Sequence, residues 1–367
     1  MKKKIAIISG CYYGQVKGGA ELQLFILANH LKNLGKEIYY IFIDGGDPID
    51  RDGLFILKRI KKRKLLRRFF NQYFLLDFFT LYKILKMVMP DYIIIRSGFA
   101  YVGIAAKYCS SNDCKMVWQI ASRNDVLPFQ PKLTRGILFD YLDKKLVEYG
   151  IKRAHYIVGQ ARYQDDLLYK NYQRRCDCIV HNFHPIPTQR IEKKLPIKII
   201  WVANFKGFKR PDLFVKLAME FRGRDDVQFI MIGRESTVGS LKNILTEIKQ
   251  AGNIDYRGEL PLDKVNEIMS RSHILVHTSS LEGFPNCFIQ AWMRRVPVVS
   301  LDVDPDDMIK DNRIGFHSGN FEQMVKDVYL LISNQDLREE MGKRAEEFAV
   351  KNFSLDNIKK IIELIQV

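Results

Sequence analysis

Three stretches of this sequence place glycine, cations or a carboxylate where an anion could be held. The first is Cys11-Tyr12-Tyr13-Gly14-Gln15-Val16-Lys17-Gly18-Gly19-Ala20-Glu21, after the apolar run Ile5-Ala6-Ile7-Ile8. Glycines let the backbone approach a ligand, and a helix starting here would offer free N–H groups to an anion. The spacing is neither G-x-G-x-x-G nor a G-K-[ST] loop, so on spacing alone a plain helix start with Glu21 in its first turn fits as well. The second stretch is Trp201-Val202-Ala203-Asn204-Phe205-Lys206-Gly207-Phe208-Lys209-Arg210-Pro211-Asp212. Its cations could hold a diphosphate, although a lone basic loop is more often plain surface. The third is Thr278-Ser279-Ser280-Leu281-Glu282-Gly283-Phe284-Pro285-Asn286-Cys287-Phe288-Ile289-Gln290-Ala291-Trp292. Glu282 sits in a loop, the N–H groups around Asn286 and Cys287 open a helix, and Gln290 follows about one turn later. A carboxylate beside an anion-holding turn suits transfer from a sugar diphosphate. The turn and cations would stabilise the leaving diphosphate, and the carboxylate would orient sugar hydroxyls.

The elements around these loops alternate strand and helix, which predicts parallel sheets. In the first half, strands are expected at 5–9, 37–43, 92–96, 115–119, 156–159 and 178–180. Helices are expected at 20–34, roughly 66–88, 100–109, 134–150 and 161–170. In the second half, strands fall at 197–202, 228–232, 273–277 and 298–301, with a short one near 254–256. Helices start near Pro211, Ser240, Pro261 and Pro285, and amphipathic helices fill 322–367. All three loops then follow strands, where open α/β sheets bind ligands. The fold class is α/β, two doubly wound parallel-sheet domains. The expected boundaries are a domain over 1–185, a linker at 186–197, a domain over 198–350 and a final helix at 351–367 that packs back on the first domain.

The 367 residues suit about two domains, and 47% apolar content supplies their cores. No apolar run approaches the roughly 18–20 residues of a membrane helix, and the start is too short for a signal-peptide core, so a cytoplasmic location is expected. The six cysteines lack the spacing of a zinc site or a disulfide framework and read as reduced thiols. The net charge of +16 lies wholly in residues 1–190, which hold 32 basic and 16 acidic residues, whereas 191–367 balance at 26 each. It peaks at Lys58, Arg59, Lys61, Lys62, Arg63, Lys64, Arg67 and Arg68, followed by an aromatic run over 69–79. Cations beside bulky apolar residues suit an anionic membrane surface. Nucleic acid would answer to the same charge, but no motif for it is present.

Taken together, the three stretches resemble the retaining family 4 glycosyltransferases, which have the GT-B architecture of two Rossmann-like domains facing a central cleft. Gly18-Gly19-Ala20-Glu21 looks like the family's diglycine loop, and Lys209 matches its diphosphate-binding lysine. Glu282-Gly283-Phe284-Pro285-Asn286, with Ala291 and Val296-Pro297-Val298-Val299, looks like its central signature. The resemblance implies that Glu282 contacts donor sugar hydroxyls and that Lys209, with the turn over Gly283, Phe284, Pro285, Asn286 and Cys287, holds the diphosphate. Gln290 would contact the ribose, and loops bearing Gly233, Arg234 and Gly258 would contact the base. The family's Glu is Gln290 here, and Asn204 replaces the Arg of the diphosphate pair, with Arg210 as a candidate substitute. The family's diglycine after Val299 is replaced by Asp302-Val303-Asp304-Pro305-Asp306-Asp307, which we read as a turn with Asp caps rather than a metal site. His181 and His184 read as hinge packing.

The resemblance implies transfer of a hexosyl unit from a UDP- or GDP-sugar to a glycan or lipid-linked acceptor, with retained configuration and in surface polysaccharide synthesis. The nucleotide sugar is a substrate, no cofactor or metal is expected, and no nucleic-acid partner. The basic first domain would dock on the inner face of the membrane. Two alternatives stay open: an epimerase or phosphorylase on the same fold, and a non-catalytic partner of an active transferase, which the Gln290 and Asn204 departures motivate.

Overall fold

The computed structural model describes residues 2–13, 18–43, 56–60, 77–128, 137–235 and 243–366. The chain forms two compact units, residues 1–182 with 356–367, and residues 183–355.

Unit 1 carries a parallel seven-stranded sheet in the order β3-β2-β1-β4-β5-β6-β7. Its elements in chain order are β1 (Lys4–Ser9), α1 (Gly19–Asn33), β2 (Glu37–Ile43), β3 (Ile56–Ile60), α2 (Phe78–Val88), β4 (Tyr92–Arg96) and α3 (Tyr101–Cys109). Then follow β5 (Lys115–Gln119), α4 (Ile137–Arg153), β6 (Tyr156–Gly159), α5 (Arg162–Tyr172), β7 (Cys178–Ile179) and a C-terminal helix, Asn357–Ile365. A parallel sheet has helices on both faces, so its inner strands are apolar throughout. Ile5, Ala6, Ile7 and Ile8 are all fully buried, as are Ile93, Ile94 and Ile95. Helices α3 and α4 pack backbone to backbone: a Cβ on Gly103 would lie 2.2 Å from the Leu146 carbonyl oxygen, so no other residue fits there.

Unit 2 carries a parallel six-stranded sheet in the order β10-β9-β8-β11-β12-β13. It runs β8 (Ile197–Val202), α6 (Pro211–Met219), β9 (Val227–Ile232), α7 (Ile244–Ala251), β10 (Ile254–Tyr256), α8 (Leu262–Ser270), β11 (Ile274–His277) and α9 (Asn286–Trp292). It ends with β12 (Val298–Ser300), α10 (Met308–Asn312), β13 (Gly315–His317), α11 (Phe321–Ser333) and α12 (Gln335–Phe353). Pro211 opens α6, where its missing N–H is no loss. Asn320 and Asn334 cap α11 and α12, accepting from Gln323 N at 2.8 Å and Leu337 N at 2.9 Å.

Several expectations are revised. Lys58 and Arg59 lie in β3, opposite Ile41 and Phe42 of β2, so the basic run begins as a strand rather than a helix. Among the described residues, that strand ends the sheet order. Lys61, Lys62, Arg63, Lys64, Arg67 and Arg68 lie outside the described residues, as do Ser240 and most of the aromatic run. Residues 186–197, expected as linker, belong to unit 2. Their polar side chains tie them there: Lys193 donates to the Arg295 carbonyl at 2.6 Å, and Arg190 pairs with Glu346 at 3.0 Å. Short β13 was not expected. Among the described residues, no helix is long and apolar enough to cross a membrane.

Candidate active site

In unit 2 the strand order reverses between β8 and β11, with β9 and β10 on one side and β12 and β13 on the other. In open α/β sheets the loops on either side of such a reversal are where ligands bind, at the carboxyl edge. Lys209 stands at the end of a single 3-10 turn, Gly207–Lys209, after β8, and Glu282 stands in the loop after β11. The structure joins them: the Lys209 ammonium pairs with Glu282 Oε1.

A third group completes the cluster. His277, the last residue of β11, is buried, and its Nε2 lies 3.3 Å from Glu282 Oε1. A carboxylate only accepts, so Nε2–H donates. Burial pushes the imidazole below the ordinary histidine value, against the pull of Glu282, so at neutral pH the ring is uncharged. For Glu282 itself, burial acts to raise the carboxyl. The hydrogen bond from His277 and the charge of Lys209 outweigh it and hold the group at about 2. The site is therefore a fixed carboxylate, a neutral donor and one ammonium, all largely shielded from water.

Thr278 holds the two loops in register. Its hydroxyl lies 2.7 Å from the Lys209 carbonyl and 2.9 Å from the Arg210 carbonyl, and it accepts from Trp201 Nε1 at 2.9 Å. Ser280 N donates to the Phe208 carbonyl at 2.8 Å. Arg210 takes a left-handed backbone, with φ of 48°. Its Nε donates to the Thr278 carbonyl at 2.6 Å and its Nη2 pairs with Asp302, so its charge is met within the protein.

The remaining expected residues surround this core unevenly. Phe284 is buried against Phe353, with ring centroids 5.1 Å apart. Pro285 precedes α9, and Gly283 precedes Phe284 in the same turn. Asn286 accepts from His184 Nε2 at 2.9 Å; burial pushes His184 down to about 4, so it is a neutral donor. Burial pushes the Cys287 thiol up to about 12. Gln290 is buried and donates through Nε2 to Asn266 Oδ1 of α8 at 3.1 Å. Asn204 accepts from Arg234 N at 3.2 Å, a loop-shaping contact in place of a cation. Gly233 allows β9 to leave beside the β8 loop: its Cβ would lie 1.7 Å from the Ala203 carbonyl oxygen. Its N–H donates to the Gly258 carbonyl at 2.9 Å, and Arg234 is exposed, 4.0 Å from Glu259. Gly18 caps and Gly19 opens α1 in unit 1. Asp304 caps α10, accepting from Ile309 N at 2.8 Å and Lys310 N at 3.2 Å.

Sequence reasoning missed His277, although a polar residue closing the buried run Ile274-Leu275-Val276 was a readable signal. It also gave Thr278, Trp201 and Asn266 no role, since their contacts cross between loops and helices far apart in sequence.

A model of the family described as glycosyl transferases group 1 matches residues 183–348. A poly(ribitol-phosphate) alpha-N-acetylglucosaminyltransferase of Staphylococcus aureus (strain COL) is 26% identical over 155 residues, 41% of this chain and 31% of that protein. The chain spans less than two thirds of the length of the curated relatives it matches. A crystal structure of Anabaena HepE in complex with UDP and glucose superposes with a TM-score of 0.77 at 14% identity, covering 99% of both chains. Sucrose-phosphate synthase from Thermosynechococcus elongatus does so with a TM-score of 0.78 at 13% identity, covering 100% of this chain and 98% of that one. The fold is GT-B, two Rossmann-like units.

Proposed function

Because residues 183–348 belong to the glycosyl transferases group 1 family, we propose that this protein is a retaining hexosyltransferase. It moves a hexosyl unit from a UDP- or GDP-sugar to a hydroxyl of a glycan or lipid-linked acceptor, in surface polysaccharide synthesis. The observation that carries the reading is the Lys209–Glu282–His277 cluster where the sheet order of unit 2 reverses.

In this reading the donor diphosphate takes the place of Glu282 against the Lys209 ammonium. Glu282, kept ionised by His277, turns its oxygens to the sugar hydroxyls. The bond from the anomeric carbon to the diphosphate breaks, and its electron pair leaves with the diphosphate, where Lys209 stabilises the new charge. The acceptor oxygen bonds to the same face of that carbon, and its proton passes to the departing diphosphate. Neither Glu282 nor Cys287 serves as nucleophile in this reading: Glu282 keeps its bond from His277 and meets the sugar hydroxyls, and the Cys287 thiol at about 12 stays protonated at neutral pH. Lys209 supplies the positive charge, so neither a metal nor a cofactor is required. Gln290 takes a ribose hydroxyl, and the loops of Gly233, Arg234 and Gly258 meet the base. The acceptor belongs to unit 1, whose basic character suits the inner face of an anionic membrane. The naming of one relative for poly(ribitol-phosphate) supports a polymeric glycan acceptor.

The test is nucleotide release from UDP- and GDP-hexoses with and without a glycolipid extract, with the anomer of the product read by NMR. Acceptor-dependent release and a product of the donor's own configuration are expected. Donor conversion without acceptor would make the protein an epimerase instead.

A further inference from the structure

Unit 1 has a reversal of its own, between β1 and β4. Arg96 closes β4 at that point, and Gln119 closes β5 opposite it in register. Arg96 is 6% exposed and Gln119 3%. Arg96 Nη1 donates to Gln119 Oε1 at 3.2 Å, and Nη2 donates to Asn182 Oδ1 at 2.6 Å. Both acceptors are neutral amides. Arg96 Nε and Gln119 Nε2 are buried and have no hydrogen-bond partner. Among the described residues, no carboxylate lies within ion-pair distance of Arg96. Asp125 and Glu21 are near enough to be felt, but Asp125 is committed to Ala121 N at 2.7 Å and Ser122 N at 2.9 Å.

A buried guanidinium without a counter-charge is costly, and so is each unmet buried donor. Burial brings Arg96 down only to about 10, so it keeps its charge at neutral pH. An anion reaching Arg96 would meet both its charge and its open Nε–H donor. We propose that Arg96 and Gln119 form an oxyanion seat in unit 1 that takes a phosphate group of the acceptor. Phosphate suits a guanidinium, whose planar donors match its oxygens, and Gln119 beside it offers a further unmet donor. That the anion belongs to the acceptor rests on the transferase reading above. That the seat takes phosphate rests on these residues alone. The acceptor class is then a phosphate ester, either a soluble or polymeric polyol phosphate or a lipid phosphate.

The experiment is calorimetric titration of inorganic phosphate into the full chain in a Lys209→Ala background, which removes the phosphate-binding cation of unit 2. Two further chains add Arg96→Gln or Gln119→Glu to that background. Phosphate binding in the Lys209→Ala chain is expected to weaken about tenfold or more in both. Gln119→Glu is also expected to raise the melting temperature, because the new carboxylate meets Arg96 from within. This variant keeps Arg96 in place, so it decides the matter even where Arg96→Gln does not fold. Equal phosphate affinity in all three chains, or none in the Lys209→Ala chain, would overturn the seat and leave Arg96 a structural group. Repeating the titration with glycerol 1-phosphate and with phosphatidic acid vesicles separates the sources. Binding of either that Gln119→Glu abolishes supports the seat, and binding of neither overturns it. Nucleotide binding at Lys209 is absent by design, so failure here is distinct from failure of the transferase reading.

Discussion

Each of the two sheets places one shielded cation at its carboxyl edge where the strand order reverses, and the two cations are held in opposite ways. In unit 2, Lys209 lies against the ionised carboxylate of Glu282. In unit 1, Arg96 lies against two amide oxygens and keeps an open donor. A cation already paired can bind a diphosphate only by exchange, which returns a carboxylate to the site at the moment the donor arrives. A cation without a counter-ion is poised to take an anion outright. On the proposed reading, the exchanging site takes the donor, whose diphosphate must also leave, and the open site takes a group that stays attached to the acceptor.

The strongest way to break this contrast is Glu282→Gln. It removes the competitor for Lys209 and the sugar-hydroxyl acceptor together. Transfer is expected to fall about a hundredfold, in the range of losing one preorganised transition-state contact. UDP or GDP affinity is expected to hold or improve. A parallel fall in nucleotide affinity, read by calorimetry, would mean that Glu282 does not exchange.

Acid should sharpen the contrast next. Unit 2 buries His184 and His273, each pushed down to about 4, and His277, lowered as well. Their unfolded value is near 6.5, so between about pH 6.5 and 4 the unfolded chain binds more protons. Stability conferred by the neutral rings is complete above 6.5 and is lost as pH falls through that window. The melting temperature should therefore drop across it, and His184→Gln should flatten the drop. An unchanged slope in that variant would show that His184 is not neutral in the folded protein.

The smallest effect is expected at Gln290→Glu. Gln290 donates to Asn266, and the Asn266 amide can turn to donate to a carboxylate instead. Nucleotide affinity should change by less than about tenfold, since either side chain offers an oxygen to a ribose hydroxyl and Asn266 can meet either one. A larger loss would mean that the amide N–H, rather than an oxygen, meets the ribose.

Much of this was legible in the sequence, for reasons that also explain the omissions. The inner strands are continuous apolar runs such as Ile5-Ala6-Ile7-Ile8, because both faces are covered. Pro211 marked the start of α6, where its fixed φ fits. By contrast, β3 hides in a basic run, which lacks the continuous apolar stretch that marks the inner strands. The 186–197 segment looked like linker because proline and polar residues share the composition of linkers, while its anchors, Arg295 and Glu346, are remote in sequence. Lys209 and Glu282 stood out in the sequence through the family resemblance of their loops. Their pairing was not legible, nor the part of His277 beside them, because two stretches far apart in sequence must fold before those atoms meet. Arg96 gave only the faint sign of a charged residue closing an apolar strand.

The central claim is that Lys209 is the diphosphate site of a nucleotide-sugar donor. It is tested most directly by calorimetric titration of UDP and GDP into the wild type and into Lys209→Ala. One nucleotide should bind the wild type, and the substitution should weaken it by at least about thirtyfold, the lower end of what losing one partner of a buried charge pair costs, ~2 kcal/mol. Equal binding in both chains, or no binding of either nucleotide to the wild type, would contradict the account.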